Sequence, residues 1–329
     1  MADKEKAAKM LALGSWHVYN RQTFDESVKF VEAALERGIN HFDIADYWES
    51  DFKNTERFRD VMKAIGRPRE DYKIGLKIFT NSAMTRVEEV SRFLDLLDLE
   101  YAYYVLCSRP APGETMDDAV VAMDDIVKQG KGRELDFSLW DAPQMKEAFE
   151  LMRQKGLTLP KFVQFQYNIC RRGVVESEAY EDLMNSTGLK LQAAVPIEGG
   201  ILGGHINRKR FDPGDKEKGR WYHDEDRNIC RDGGDIRGQI RAILPHMMEV
   251  AESVGLTTAQ LSMAYVATNP HIENILFGAT KIWQLDEAIG AVEFALDKPE
   301  LVKEISAEFN IGGKAPGLFD FSFATNKKK

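Results

Sequence analysis

Cysteine is scarce in this chain of 329 residues, which has three in total: Cys107, Cys170 and Cys230. None of them lies in a short pairing motif of the kind that binds zinc. Three isolated thiols also cannot supply the framework of a disulfide-stabilised secreted domain. The sequence therefore predicts neither a metal site nor structural disulfides.

Long hydrophobic runs and a basic charge balance are missing as well. No stretch approaches the roughly 18 apolar residues of a membrane span, and the first residues, MADKEK, are charged where a signal peptide would be apolar. The net charge of −9 disfavours a nucleic-acid partner, because phosphate binding needs a basic face. We read Lys327–Lys329 as a solvated end. We therefore expect a cytoplasmic protein with neither nucleic acid nor membrane as partner.

Short apolar segments alternate with amphipathic segments at intervals of about 30 residues, which is typical of strand–helix units. The predicted strands are Met10–Ser15, His41–Asp43, Tyr72–Lys77, Tyr103–Cys107, Glu134–Phe137, Phe162–Gln166, Leu189–Val195 and Asn274–Phe277. The predicted helices are Asp25–Arg37, Asn54–Ile65, Arg86–Leu97, Thr115–Gln129, Ala142–Lys155, Glu178–Asn185, Ile240–Val254, Thr258–Ala267, Ile282–Ala295 and Pro299–Phe309. This alternation indicates an α/β protein whose single domain, residues 1–329, is a closed (β/α)8 TIM barrel. The first strand lacks a following Gly-x-Gly-x-x-Gly turn, which counts against a Rossmann domain.

One long segment interrupts the alternation. Residues Gly203–Gly238 are rich in Gly, Asp, Arg and Lys and include Trp221. The segment follows the seventh predicted strand, so it should lie over the C-terminal mouth of the barrel, where barrel enzymes have their active sites. Long connections of this kind are usually lids or binding loops. We predict a lid over the mouth, and an insertion without a role is the alternative.

The segment GINHFDIADYW, Gly38–Trp48, combines a helix end with a short buried strand that carries Asp43 to its C-terminal tip. The segment KIGLKI places Lys77 at the end of the next strand. A lysine beside an aspartate in a barrel mouth forms a desolvated ion pair, and its charge can polarise a neighbouring acid. The alternative is a structural salt bridge that closes the top of the barrel.

These segments resemble the aldo-keto reductase signature G-I-N-x-F-D-T-A-x-x-Y. The likeness begins at LALGSW, Leu11–Trp16, which is similar to the family's first strand, and it covers nearly the whole chain. It is closest to the branch that includes potassium-channel β-subunits. The resemblance implies that Asp43 and Lys77 are catalytic and that the cofactor is NADPH, with NADH as the other possibility.

Two of the four catalytic positions of this family are changed. Trp48 occupies the slot of the acid tyrosine, and an indole N–H donates a hydrogen bond without ionising usefully. Tyr47 is adjacent, and a local backbone shift would turn it into the barrel mouth, where it could act as the proton donor. The alternative is that Tyr47 only packs under the lid. Ser108, in YAYYVLCSRP, takes the place of a histidine or asparagine and donates one hydrogen bond without imidazole's charge.

The resemblance also implies a nicotinamide site. Ser138 and Gln164 match residues that hold the carboxamide, whereas Leu139 replaces the asparagine of that grip. Ala194 replaces an aromatic residue that would stack on the nicotinamide. The segment GATKIWQLDE is similar to the family's adenosine-end motif G-A-S-x-x-x-Q-L-x-E-N. The implied cofactor-binding residues are Ser138, Gln164, Pro196, Gly278, Thr280, Lys281, Gln284 and Glu287.

A helix start that carries Thr280 and Lys281 suits the 2′-phosphate of NADPH, although Gly-Ala-Thr before a helix is often a simple N-cap. Glu287 would reach the adenine amino group, and Ala288 replaces the family's asparagine. The resemblance therefore predicts that the cofactor's anionic end lies at the last long helix.

Two functions follow from this mixture of kept and changed residues. The first is hydride transfer to a small imine, iminium or carbonyl substrate, and a protonated C=N group needs less acid assistance than a ketone. Carboxylates predicted at the mouth would attract a cationic substrate, and the alternative is that they are simply solvated. These are Asp46, Glu49, Asp136 and Glu198. The second function is that of a non-catalytic binding or partner subunit, and the sequence leaves the oligomeric state open.

Overall fold

The computed structural model describes residues 2–15, 18–19, 22–45, 52–78, 84–111, 113–138, 140–203 and 236–311. Within these ranges, eight parallel strands close into a barrel in chain order. The strands are β1 (Leu11–Gly14), β2 (His41–Ile44), β3 (Lys73–Ile78), β4 (Ala102–Ser108), β5 (Gly132–Ser138), β6 (Phe162–Gln166), β7 (Lys190–Ala194) and β8 (Ile272–Phe277). Each of them overlaps a predicted strand, and the predicted (β/α)8 TIM barrel is confirmed.

Helices surround the barrel. They are α1 (Ala2–Lys9), α2 (Phe24–Glu36), α3 (Phe52–Ile65), α4 (Arg86–Leu97), α5 (Met116–Lys128), α6 (Ala142–Lys155), α7 (Glu178–Thr187), α8 (Ile236–Ser253), α9 (Thr258–Ala267), α10 (Ile282–Asp297) and α11 (Pro299–Ser306). Several begin where the sequence predicts because a threonine caps the first turn. Thr85, for example, accepts a hydrogen bond from the Glu88 N–H group, and the Glu88 side chain accepts one from the Thr85 N–H group.

Helix α1 is missing from the sequence-based prediction. Its charged start resembles a disordered terminus, yet Ala7 and Ala8 are fully buried where α1 packs against α10. This burial depends on a helix almost 300 residues further along the chain. A local pattern of charges could not reveal it.

The main core lies between the strands and the helices, and a smaller apolar cluster fills part of the barrel interior. Tyr104, Leu106 and Phe162 form this inner cluster. The Tyr104 ring lies against β3 at Gly75, where an added Cβ would stand 1.9 Å from the ring. Only glycine therefore permits this close approach. Buried polar side chains of β5 to β8 also face the interior.

Several predicted features lie outside the described residues. They are Asp46, Tyr47, Trp48, Glu49, Leu139 and residues 204–235 of the predicted lid. Their roles stay predictions. Among the residues that the structure does describe, no helix is long and apolar enough to span a membrane.

Candidate functional site

A continuous row of polar residues crosses five neighbouring strands. Ser108, Ser138, Gln164, Gln192 and Asn274 are successive register partners on β4 to β8. Partners on neighbouring strands face the same side of a sheet, and these face the barrel interior. Because barrel strands are tilted, the row descends from the mouth at Ser108 towards the lower interior at Asn274. We call these five residues the polar row.

Asp43 and Lys77 reach the polar row from the opposite wall of the barrel. Both are buried, with 2% and 5% of their surface exposed. The Lys77 Nζ group donates to Gln164 Oε1, and Gln164 Nε2 donates to Asp43 Oδ2 at 3.2 Å. The hydrogen-bonded link between the two charges thus passes through the Gln164 amide. The structure brings together the two residues that the sequence singled out, with a third that was assigned to the cofactor.

The charge state of Asp43 reflects a competition. Burial raises the pKa of the Asp43 carboxyl, while the charge of Lys77 and the hydrogen bond from Gln164 lower it. Desolvation is the largest of these influences, and the pKa is raised overall. A carboxylate held in this balance responds to any change in its two polar partners.

Ser138 contains a polar group that the described part of the protein leaves unsatisfied. Its hydroxyl is buried and has no hydrogen-bond partner among the described residues. Buried hydroxyls in folded proteins nearly always have a partner. The residue ends β5, at the mouth, where the resemblance expects a nicotinamide carboxamide. The free hydroxyl therefore fits that group.

Gln164 fits the carboxamide less well. Its Nε2 atom donates both hydrogens within the protein, to Asp43 and to Gln192, and its Oε1 atom accepts from Lys77. After these three hydrogen bonds, the Gln164 amide can accept one more hydrogen bond from a ligand, at the second lone pair of Oε1. Gln164 therefore mainly links Lys77 to Asp43 by hydrogen bonds.

We expect Ser138→Ala to separate ligand binding from stability. The substitution removes no hydrogen bond within the described protein, so the free energy of unfolding should change by less than about 0.5 kcal/mol. Affinity for NADPH should fall about tenfold, the scale of one neutral hydrogen bond. Thermal unfolding and tryptophan fluorescence titration measure the two quantities.

Ser306→Ala is the matched control. Ser306 also has a buried, unpartnered hydroxyl among the described residues, but it lies in α11. This variant should change neither stability nor affinity. Equal affinities in wild type and Ser138→Ala would remove Ser138 from the cofactor site.

The turn that follows β7 has an unusual backbone. Val195 and Glu198 have positive φ angles of 55° and 49°, a conformation that costs such residues about 1–3 kcal/mol. The Ser262 hydroxyl donates to the Pro196 carbonyl at 2.6 Å, and the Asn168 side chain donates to the Val195 carbonyl at 3.1 Å. Pro196, assigned to the cofactor, thus lies in a turn that neighbouring side chains hold in place.

Glu198 does not present a free negative charge. It is fully buried, and its carboxylate accepts hydrogen bonds from Arg171 Nε at 2.7 Å and Arg171 Nη2 at 3.0 Å. Asn168 Nδ2 donates to the same carboxylate at 3.0 Å. The prediction that Glu198 attracts a cationic substrate is wrong, because Arg171 neutralises it.

Asp136 is also misplaced by the prediction. Its Oδ1 atom accepts from the N–H groups of Phe162 at 3.0 Å and Lys161 at 3.3 Å, where β6 begins. Asp136 therefore lies in the lower barrel and not at the mouth. Burial raises its pKa well above the usual value, which favours the neutral carboxylic acid. At this depth Asp136 is not placed to meet a substrate.

The residues assigned to the adenosine end gather where α10 begins. Gly278 directly follows β8, and space is open where its Cβ would stand. Gln284 Oε1 accepts from the N–H groups of Thr280 at 2.8 Å and Lys281 at 3.0 Å. The Lys281 side chain is exposed, and Glu287 is partly buried, which raises its pKa. Gln284 would have to release these N–H groups before they could meet a phosphate.

Sequence reasoning missed Gln192, Asn274 and Arg171. A signal for Gln192 exists in KLQAA, where a glutamine interrupts an apolar strand. Glutamine has no reason to lie in an apolar strand unless a partner satisfies its amide. Which partner satisfies it depends on the register of the closed barrel.

Comparison with known proteins agrees with this geometry. A sequence profile of the aldo/keto reductase family matches residues 10–307. A rice (Oryza sativa subsp. japonica) protein named a probable voltage-gated potassium channel subunit beta is 27% identical over 310 residues, which cover 90% of this chain and 92% of that protein. An Arabidopsis thaliana protein of the same name is 27% identical over 311 residues, covering 89% and 92%. The profile spans the whole barrel with Asp43, Lys77 and the polar row, and the chain belongs to the aldo/keto reductase family.

Proposed function

We propose that this protein is an NADPH-dependent reductase of a small substrate with a C=N or C=O group. The observation that carries the proposal is the buried pair Asp43 and Lys77, joined through Gln164. Beside Gln164 lies the Ser138 hydroxyl, which has no hydrogen-bond partner among the described residues. Ionisable groups are costly to bury, and they concentrate at functional sites. Bound NADPH would supply the hydride. Ser138 would orient the nicotinamide, and Lys77 would provide the positive charge next to the reacting group.

An imine or iminium is the preferred substrate class. Reduction of a carbonyl needs a proton donor for the developing alkoxide, and Trp48 occupies the position of the family's acid. An iminium carries its proton before hydride arrives, so it makes no demand on that position. The paired state of Glu198 and the depth of Asp136 remove them as attractants. The preference for C=N therefore rests on the missing acid.

Tyr47→Phe distinguishes the two substrate classes. If the substrate is an iminium, we expect turnover to stay within about threefold of wild type, because no protein acid is needed. If Tyr47 is the acid for a carbonyl, turnover should fall by about 10²-fold or more. Steady-state kinetics with matched imine and ketone substrates measures this difference. A large loss with the imine substrate would contradict the iminium preference.

NADPH should bind more tightly than NADH through the exposed Lys281. A hydrogen bond between a lysine and the 2′-phosphate contributes about 1.5–3 kcal/mol, so Lys281→Ala should weaken NADPH about tenfold and leave NADH unchanged. Lys29→Ala in α2 is the control. Lys29 and Lys281 are comparable because both lie close to Glu26. Hydrogen bonds from Thr23 are the main cause that lowers the pKa of the Glu26 carboxyl, and the charges of both lysines lower it further. Equal losses for NADPH and NADH would exclude the 2′-phosphate assignment.

A non-catalytic partner subunit is the second candidate. The relatives from rice and Arabidopsis are named for a potassium channel subunit, and Ala194 at the end of β7 offers no ring to stack on a nicotinamide. NADPH titration followed by turnover with a carbonyl and imine panel tests both candidates. Binding with NADPH oxidation supports the reductase. Binding without oxidation of NADPH by any substrate supports the subunit.

A further inference from the structure

The hydrogen bonds around Gln164 have a fixed direction. A lysine ammonium only donates, and an ionised carboxylate only accepts. Gln164 must therefore turn its Oε1 atom to Lys77 and its Nε2 atom to Asp43, as the structure shows. A reversed amide would face the ammonium with N–H groups and the carboxylate with an oxygen.

The same direction continues along the polar row. The second hydrogen on Gln164 Nε2 is donated to Gln192 Oε1. Gln192 Nε2 then donates to Asn274 Oδ1 at 2.8 Å and to the Tyr104 hydroxyl at 3.3 Å. Every bond in this chain points away from Lys77. The shared order means that rotation of one amide would place two donors or two acceptors face to face.

Three amides in succession at interior barrel positions are unlike the branched apolar residues that usually fill such layers. Gln192 is fully buried, and Asn274 has 1% of its surface exposed. Neither residue lies at the mouth, where β7 and β8 end, so neither is placed to touch a substrate. Their contact with the site runs through Gln164.

We propose that Gln192 and Asn274 are positioning residues that lock the direction of the Gln164 amide and thereby keep Asp43 ionised opposite Lys77. Gln192 accepts one Gln164 hydrogen, so the other remains aimed at Asp43. Asn274 accepts from Gln192, so Gln192 keeps its own oxygen towards Gln164. The catalytic consequence rests on the proposed reductase function, but the effect on Asp43 does not.

The charged and titratable groups around Asp43 are consistent with this role. Burial raises the pKa of Asp43, and the charge of Lys77 in β3 lowers it. Tyr104 in β4 is close enough to Asp43 in β2 and to Asp136 in β5 for both carboxylates to raise its pKa. Burial raises the pKa of Tyr104 well above its usual value, and the negative charge of Asp43 adds to that shift. The tyrosine is therefore a neutral neighbour, and the Gln164 bond and Lys77 are left to stabilise the carboxylate.

The test follows the titration of Asp43 in the cofactor-free protein by NMR of 13C-labelled aspartate carboxyls, with Asp43→Asn to assign the signal. Gln192→Met keeps the side-chain volume and removes the acceptor. It should free the Gln164 amide to turn, and the Asp43 titration should move to higher pH. Asn274→Leu should shift it in the same direction by less, because Tyr104 still accepts from Gln192. This second variant decides the question if Gln192→Met does not fold.

Two controls separate positioning from general damage. Tyr104→Phe leaves the Asn274 bond to Gln192 intact, so the Asp43 titration should remain at its wild-type position. In a Gln164→Met background, Gln192→Met should cause no further shift, since it acts through Gln164. An unchanged Asp43 titration in Gln192→Met, or an equal shift with and without Gln164, would overturn the proposal.

Activity provides a separate readout. In the reductase, the acid limb of the kcat profile should move to higher pH in Gln192→Met, while the KM for NADPH stays within about twofold of wild type. Absence of any NADPH oxidation in the wild type would end the proposed function but leave the titration result valid. A shifted titration with an unmoved kcat profile would overturn the catalytic part of the proposal.

Discussion

We expect Lys77→Met to lower turnover by about 10²-fold or more and Asp43→Asn to do the same, the usual scale for losing acid–base assistance. Lys77→Met removes the positive charge that we propose assists the reacting group. Without an ionised Asp43, the buried Lys77 loses the carboxylate opposite it, and one Gln164 hydrogen loses its acceptor. Steady-state kinetics with NADPH and the best substrate of the panel measures both effects.

The double variant Lys77→Met/Asp43→Leu is the control for unfolding. Removal of one partner from a buried charge pair costs about 3–5 kcal/mol because the other charge stays uncompensated. The double variant removes both charges and should be more stable than either single variant, yet equally inactive. Single variants with wild-type turnover would reduce the pair to a structural feature of the barrel.

The pH dependence of the Lys77 variant has a defined sign. Burial raises the pKa of Asp43 and Lys77 lowers it, so loss of Lys77 raises it further. The acid limb of the activity profile should therefore move to higher pH. A raised pKa also means that the folded state binds more protons than the unfolded state between the two values, so this group's contribution to stability falls as pH rises through that window.

Arg171→Ala should lower stability about as much as loss of one partner from the Asp43 and Lys77 pair. It removes both guanidinium hydrogen bonds from Glu198, which is fully buried, and takes the Arg171 charge away from that carboxylate. The expected cost is about 3–5 kcal/mol in the free energy of unfolding. Glu198 belongs to the strained turn after β7, so we expect cofactor affinity to fall as well. Urea unfolding and fluorescence titration measure the two effects.

Two variants frame this prediction. Glu198→Gln removes the buried charge and keeps an oxygen for Arg171, so it should cost less than Arg171→Ala. Lys155→Ala breaks an ion pair at the surface, in which the Lys155 side chain is 37% exposed and the Asp117 side chain is 53% exposed. This substitution should cost less than about 1 kcal/mol in the free energy of unfolding. An Arg171→Ala variant as stable as Lys155→Ala would show that the ion pair does not hold the turn.

The barrel could be predicted from sequence because each strand and helix carries its own periodic signal. Phe162–Gln166 and Arg86–Leu97 have the same bounds in the prediction and the structure. Asp43 and Lys77 were found because the short strand segments that carry them resemble aldo-keto reductase motifs. Such signals are local, and they do not depend on how the barrel closes.

The remaining features depend on contacts between distant segments. Arg171 and Glu198 lie 27 residues apart, and no local pattern marks them as a pair. The polar row depends on the register of five strands, which barrel closure sets. Asp136 was placed at the mouth although Ser138 ends the same strand two residues later. Two residues of a strand span roughly 6–7 Å, which was enough to move the carboxylate below the site.

We propose that the site built on Asp43 and Lys77 transfers hydride from a nicotinamide cofactor. The most direct test supplies NADPH deuterated at C4 together with the imine and carbonyl panel, and follows the label by mass spectrometry. We expect deuterium on the reduced carbon of at least one product with wild-type protein and a loss of about 10²-fold in its rate with Lys77→Met. Binding of NADPH without label in any product, or equal labelling rates in the two proteins, would contradict the claim.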